Sequence, residues 1–149
     1  MRLIVSTPLA IVVDTDDVMH LRAEDETGAF GILPHHDNFL TVLSVSVVTW
    51  RDHANIEHHV AVRGGMLQVR DGDTISVATR EAEQGDDLQQ LEADVIVRFR
   101  RQENEEQAAH ADAERLYLAA LHQIVELLRP DRRPIPRPPD AAPLESFER

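Results

Sequence analysis

The sequence predicts a β-plus-α fold: an N-terminal antiparallel β-sandwich over residues 1–85, a two-helix hairpin arm over 86–129, and a flexible Pro-rich tail over 130–149. Three observations predict it. Up to Thr79, Val, Ile, Thr and Leu come in short runs separated by turn residues, the pattern of several short strands packed as a sandwich or barrel. From Asp86 onward, apolar residues recur at helical spacing instead. Beyond residue 129 the chain holds six of its eight prolines and too few apolar residues to build a core of its own.

The first three strands are expected at Leu3 to Val5, Ala10 to Val13 and Val18 to Ala23. Thr27-Gly28 precedes a fourth, Ala29 to Leu33, closed by Pro34. Phe39 to Trp50 is a long β-rich run with Leu43, Val45 and Val47 on one face and Ser44 and Ser46 on the other. It reads as one strand or as two joined by a bend. Asn55 to Arg63 and Met66 to Arg70 flank Gly64-Gly65, which predicts a hairpin because glycine accepts the positive φ of tight primed turns. Asp71-Gly72-Asp73 supplies the next turn, before Thr74 to Thr79.

In the second part, Leu88, Leu91, Val95 and Phe99 repeat at helical spacing, as do Ala113, Tyr117, Ala120, Leu121, Ile124 and Leu128. Asp86 and Asp87 stand where an N-cap and a first-turn carboxylate stabilise a helix start. Arg129 and Pro130 mark its end. The run Gln102 to Ala111 between the two stripes is almost wholly polar and lacks Gly and Pro. One long bent helix is allowed there, but the separate stripes favour a hairpin.

Composition excludes several classes of function. All 15 basic residues are Arg, 27 residues are acidic, and the net charge is −12. Such a chain is repelled by nucleic acid and by acidic membrane surfaces. Without cysteine there is no disulfide, no thiolate nucleophile and no Cys-based metal site. No run approaches the roughly 20 apolar residues of a membrane span, so direct membrane insertion is not expected. The N-terminus reads as a first strand and not as a signal peptide.

No catalytic constellation emerges. The eight histidines include the adjacent pairs His35-His36 and His58-His59, but strand neighbours point to opposite faces and no chelating spacing falls on one element. Asp14, Asp16, Asp17, Glu24, Asp25 and Glu26 lack the calcium-loop pattern and read as solvated turns. Taken alone, the residues leave open a small metal-dependent β-barrel using its histidines, or an adaptor whose helical arm binds partner helices.

The stretch Gly28-Ala29-Phe30-Gly31-Ile32-Leu33-Pro34-His35-His36-Asp37-Asn38-Phe39-Leu40-Thr41 is the most distinctive. Two glycines and a proline bracket apolar residues, then a polar corner leads into the long strand. It resembles the signature of the epsilon subunit of rotary F-type ATP synthases, which runs roughly G-E-(F/L)-G-(I/V)-(L/Y)-P-G-H-A-P-L. The run from Val62 to Thr79, VRGGMLQVRDGDTISVAT, is similar to the second conserved block of that family. The resemblance extends over about residues 1 to 129.

The resemblance implies a non-catalytic rotor subunit: a sandwich that packs on the gamma shaft and rests on the membrane rotor (c) ring. It implies a peripheral location on the cytoplasmic face of a bacterial membrane. It assigns Ala29, Phe30, Gly31, Pro34, His35, His36 and Asp37 to the ring and gamma interface, and Gly64 and Gly65 to a structural turn. Ala29 stands where the family has an acidic residue, so His36 and Asp37 are the candidate substitutes. The C-terminal helices would meet the catalytic alpha/beta hexamer and restrain ATP hydrolysis, with Arg98, Arg100 and Arg101 as candidate regulatory contacts. Some members bind ATP through an (I/L)-D-x-x-R-A motif. Here it reads Leu88-Gln89-Gln90-Leu91-Glu92-Ala93, and the Arg-to-Glu92 reversal predicts no ATP site and no cofactor. These departures look like those of a divergent, alternate-type complex.

Overall fold

Among the described residues, eight strands form one continuous hydrogen-bonded sheet that wraps around an apolar core: β1 (Arg2–Ser6), β2 (Ile11–Thr15), β3 (His20–Asp25), β4 (Gly28–Ile32), β5 (Phe39–Arg51), β6 (Glu57–Arg70), β7 (Thr74–Ala78) and β8 (Ala82–Gly85). The order is β2-β1-β7-β6-β5-β3-β4, with β8 paired to β6. The computed structural model describes residues 1–128, so the expected Pro-rich tail lies outside the described residues. All strand pairs are antiparallel except β1 with β7, which run parallel. Those two strands lie far apart in sequence, so no hairpin dictates their direction.

The core follows from strand alternation. Leu3, Val5, Leu21, Ile32, Val48, Val60, Val62, Leu67 and Ile75 are fully buried in one cluster, with Trp50 beside them. These β-branched and aliphatic side chains face inward on alternate residues, as a one-sided strand requires.

Three expectations need correction here. Gly64-Gly65 does not close a hairpin: β6 runs unbroken for 14 residues and pairs with β5 along almost its whole length. The glycines instead mark the place where the other edge of β6 changes neighbour. His59 to Val62 pair with β8, and Met66 to Arg70 pair with β7. Gly64 has φ +64° and Gly65 φ +119°, so the positive φ inferred from sequence is real but bends a strand instead of ending one.

The second correction concerns faces. Leu43 points into the main core, whereas Val45 and Val47 belong to a separate cluster on the opposite side. Inward residues are odd-numbered up to Leu43 and even-numbered from Val48. In β6 they are even up to Val62 and odd from Leu67. Both strands therefore reverse their alternation at the same rung, Ser44 opposite Gly64. The reversal leaves Val45, Val47 and Ala61 facing outward.

The helix lands on that outward face. Asp87 caps it, accepting hydrogen bonds from the Gln89 and Gln90 amides at 2.9 and 3.3 Å. One turn of α1 (Leu88–Gln90) passes into a π-helical segment (Leu91–Ile96) and then α2 (Val97–Leu128). Leu91, Val95, Ile96 and Phe99 are buried against Val45, Ala61 and Val47. The hairpin is not formed: α2 is helical through Gln102 to Ala111. The reason is local. That segment has no breaker, is rich in Glu, Gln and Ala, and carries an Arg101–Glu105 pair at i, i+4 spacing.

Candidate functional site

The loop singled out in the sequence, between β4 and β5, is held from three sides. Asp25, in the β3–β4 turn, accepts local hydrogen bonds from the Thr27 amide (2.8 Å) and hydroxyl (2.6 Å), and it ties the start of β5 to β3 by accepting from the Thr41 hydroxyl (2.8 Å). Those donors, the Thr27 hydroxyl foremost, hold the Asp25 carboxyl below the usual carboxylate range. At its tip the His35 amide donates to the Gly72 carbonyl at 2.8 Å, and Asn38 Oδ1 accepts from the Asp71 amide at 2.8 Å. The chain packs so closely there that a Cβ on Gly72 would lie 2.9 Å from His35 Cα. An aromatic stack fills the middle: Phe39 meets Phe30 edge-on at 5.6 Å and His36 at 5.7 Å.

The assigned residues divide accordingly. Phe30 and His36 join through Phe39, and Pro34, His35 and Asp37 are exposed at the tip. Ala29 is exposed on edge strand β4, opposite Glu24. Gly31 pairs with Arg22, and a Cβ there would lie 3.0 Å from His20 Nε2. Sequence reasoning missed the braces, Asn38, Asp71 and Gly72. The Asp-Gly-Asp turn was visible, but not that it backs this loop.

Beside the loop, the outer face of β5 and β6 is apolar and open. Leu40 is 58% exposed, Val42 63% and Met66 50%. Val42 lies opposite Met66, and Met66 opposite Ala78 on β7, so these side chains form one row across the sheet.

Of the three arginines proposed for the arm, Arg98 pairs with Glu83 and stacks its guanidinium 5.4 Å from the Phe99 ring centre, and Arg101 pairs with Glu105 at 3.1 Å. Arg100 lines an open cavity of about 400 Å³ with Arg22, Glu24, Glu92 and Ile96. Two carboxylates offset two guanidiniums there, leaving no excess positive charge for a polyphosphate. Gln89 and Glu92, at the positions compared with the ATP motif, lie on α1 and the π-helical segment.

Several of the histidines are engaged locally. His58 stacks on Trp50 at 5.3 Å and pairs with Asp52 at 2.9 Å. His59 is buried and bonds Thr49 Oγ1 at 3.0 Å, and His53 pairs with Asp17. Among the described residues no group of three or more His, Cys, Asp or Glu is placed to hold a metal ion.

Several carboxylates are held below their ordinary range by a hydrogen-bonding or ion-paired neighbour: Asp14 by Arg2, Asp17 by His53, Asp52 by His58, Glu57 by Arg51 and Glu106 by Arg63. A lowered folded value means the stabilisation is present above the unfolded value and is lost as pH falls through the folded one. The thermal midpoint, followed by circular dichroism from pH 7 to pH 3, should therefore drop as pH passes below about 4. A midpoint unchanged down to pH 3 would contradict these pairings.

Among the described residues no helix is long and apolar enough to cross a membrane. The family model described as the ATP synthase delta/epsilon chain β-sandwich domain matches residues 1–85. The ATP synthase epsilon chain 2 of Paraburkholderia xenovorans is 39% identical over 132 residues, covering 89% of this chain and 95% of that protein. The epsilon chain 2 of Cereibacter sphaeroides is 36% identical over 130 residues, covering 87% and 88%. Among solved structures, a chain of the Euglena gracilis mitochondrial ATP synthase (OSCP/F1/c-ring) aligns with a TM-score of 0.52 at 17% identity, over 55% of this chain and 51% of that one. At that identity the alignment speaks for the fold.

Proposed function

The chain belongs to the ATP synthase delta/epsilon chain family, and on that premise we propose that it is a central-stalk subunit of a rotary F-type ATP synthase with no catalysis of its own. Its partners in this reading are the gamma subunit and the membrane rotor ring. Its place is the cytoplasmic face of a bacterial membrane, reached through those partners.

The observation that carries this reading is the pairing of a rigid loop with an open apolar row on one sandwich. A subunit that transmits torque needs a contact surface that does not deform, and the loop's bracing by Asn38 and Gly72 at its tip, with Asp25 holding Thr41 on the strand that leaves it, supports that. Phe30, Pro34, His35, His36 and Asp37 are the proposed contacts with the ring, with Gly31 and Ala29 on the strand leading to them. Leu40, Val42 and Met66 offer gamma an apolar patch of the kind that marks a protein interface. The helix would reach the catalytic alpha/beta hexamer. Its exposed Tyr117, Leu121, Ile124 and Leu128 repeat at helical spacing and suit an apolar partner. Family membership displaces the metal-dependent barrel and the generic adaptor as readings.

Mixed with its cognate gamma subunit, the full chain should elute as one complex in gel filtration, and Val42→Asp should weaken that complex by at least tenfold. Separate elution at every salt concentration tested would remove the proposal.

A further inference from the structure

The family reading treats everything after the sandwich as one arm. The side chains divide it differently. Burial on the helix stops abruptly: Leu91, Val95 and Ile96 are each 5% exposed and Phe99 2%, whereas every residue from Asn104 to Leu128 is exposed. The fold divides between Gln107 and Ala108, so the first turns belong to the same compact unit as the sheet.

Charge closes that unit at its end. Arg63 stands on the outward face of β6, immediately before the glycine pair, and its side chain is only 7% exposed. Its Nη2 lies 2.5 Å from Glu106 Oε1 on α2, an ion pair whose alignment does not make a hydrogen bond, and its Nη1 3.3 Å from Glu81 Oε1. Arg80 reaches the other Glu106 oxygen at 3.0 Å. Nearer the sandwich, Arg98 pairs with Glu83 of β8. A guanidinium that shielded from water needs its partner, because removing one member of a buried pair strands the other. Glu106 is half-exposed, so the pair adds modest attraction, but it fixes where along the sheet the helix can rest. The apolar contacts of Leu91, Val95, Ile96 and Phe99 then have one register.

We propose that residues 88–106 are a fixed footing of the sandwich, clamped by Arg63, Arg80 and Glu106, and that the regulatory arm is only the segment from Ala108 onward. The second half of this statement rests on the reading of the helix as an arm that restrains hydrolysis. The clamp itself does not. In this arrangement the footing turns with the sandwich, and only the distal helix exchanges partners.

Hydrogen exchange on the full chain tests the clamp. Amides from 91 to 106 should exchange at least about a hundredfold more slowly than those from 112 to 128. Glu106→Gln should raise exchange over 97–106 about tenfold while leaving the core strands unchanged. Equal exchange on both sides of Gln107 overturns the clamp. ATPase assays of the assembled complex test the boundary. A chain ending at Gln107 should release hydrolysis as fully as one lacking residues 87–149. If only the longer deletion releases it, the boundary is overturned. If neither does, the regulatory reading of the arm falls, whatever the exchange data show.

Discussion

Gly65→Ala is expected to destabilise the sandwich by about 3–5 kcal/mol, enough to unfold many domains of this size. Two independent effects add at this position. With φ +119° the backbone lies in a region that side chains other than glycine avoid. A Cβ there would also overlap the Ala78 carbonyl oxygen and come within 2.9 Å of Thr79 Cα. Both obstacles are backbone atoms of the neighbouring strand, so neither can swing aside. Gly64→Ala should cost less: its φ of +64° is the left-handed conformation, and its Cβ would meet only the Leu43 carbonyl oxygen at 3.2 Å. Gly28→Ala should also cost less than Gly65→Ala: its φ of +126° carries the same backbone strain, but no atom lies within 4 Å of its Cβ. Denaturant unfolding should place Gly65→Ala as the most destabilised of the three. A Gly65→Ala variant within about 1 kcal/mol of the parent would show that Gly65 does not lie against Ala78 and Thr79 as described.

Phe99→Ala should cost about 3–5 kcal/mol of helix docking, and Phe99→Leu less than about 1.5. Phe99 is the largest fully buried side chain and is packed with Leu91, Val95 and Ile96 over Val45 and Ala61. Its truncation leaves a void between two elements that cannot both collapse onto it. It also takes away the ring on which Arg98 rests. Helicity from 88 to 106 should be lost first, while the strand core keeps its own transition. Unfolding followed separately by far-ultraviolet circular dichroism and by Trp50 fluorescence would resolve the two. A Phe99→Ala chain with parental helix content and midpoint would mean the footing is not held by this cluster.

These two sites also show how far local signals reach. Most strand positions, the Asp87 cap and the turn at Gly72 were legible because each depends on a residue and its near neighbours; β8 (Ala82–Gly85) and the continuity of β6 were not. The helix through Gln102 to Ala111 was legible in the same way, from the absence of Gly and Pro, yet the two apolar stripes argued for a turn. The stripes were real, but the proximal one faces the sheet and the distal one is exposed. Separate stripes on one helix can serve separate surfaces without a hairpin.

The candidate loop was legible as a sequence motif and illegible as a structure. Nothing near Pro34 indicates that Gly72 and Asp71 stand behind it. Arg63 was missed for the same reason. A single Arg before two glycines carries no mark of burial until β8 and the helix cover it.

By itself the sequence determined the class of fold, the positive φ at Gly64 and Gly65, the helix start and the family resemblance, because these are written in local stereochemistry and ordered motifs; the positive φ at His35, Asn55 and Asp71 was not marked. Only the tertiary structure decided what the positive φ at Gly64 and Gly65 does. A glycine pair permits a reversal of chain direction and a reversal of strand facing equally well. The choice between them was made by distant partners: β5 pairing along nearly the whole of β6, β7 and β8 sharing its other edge, and a helix waiting for the apolar face that the reversal exposes.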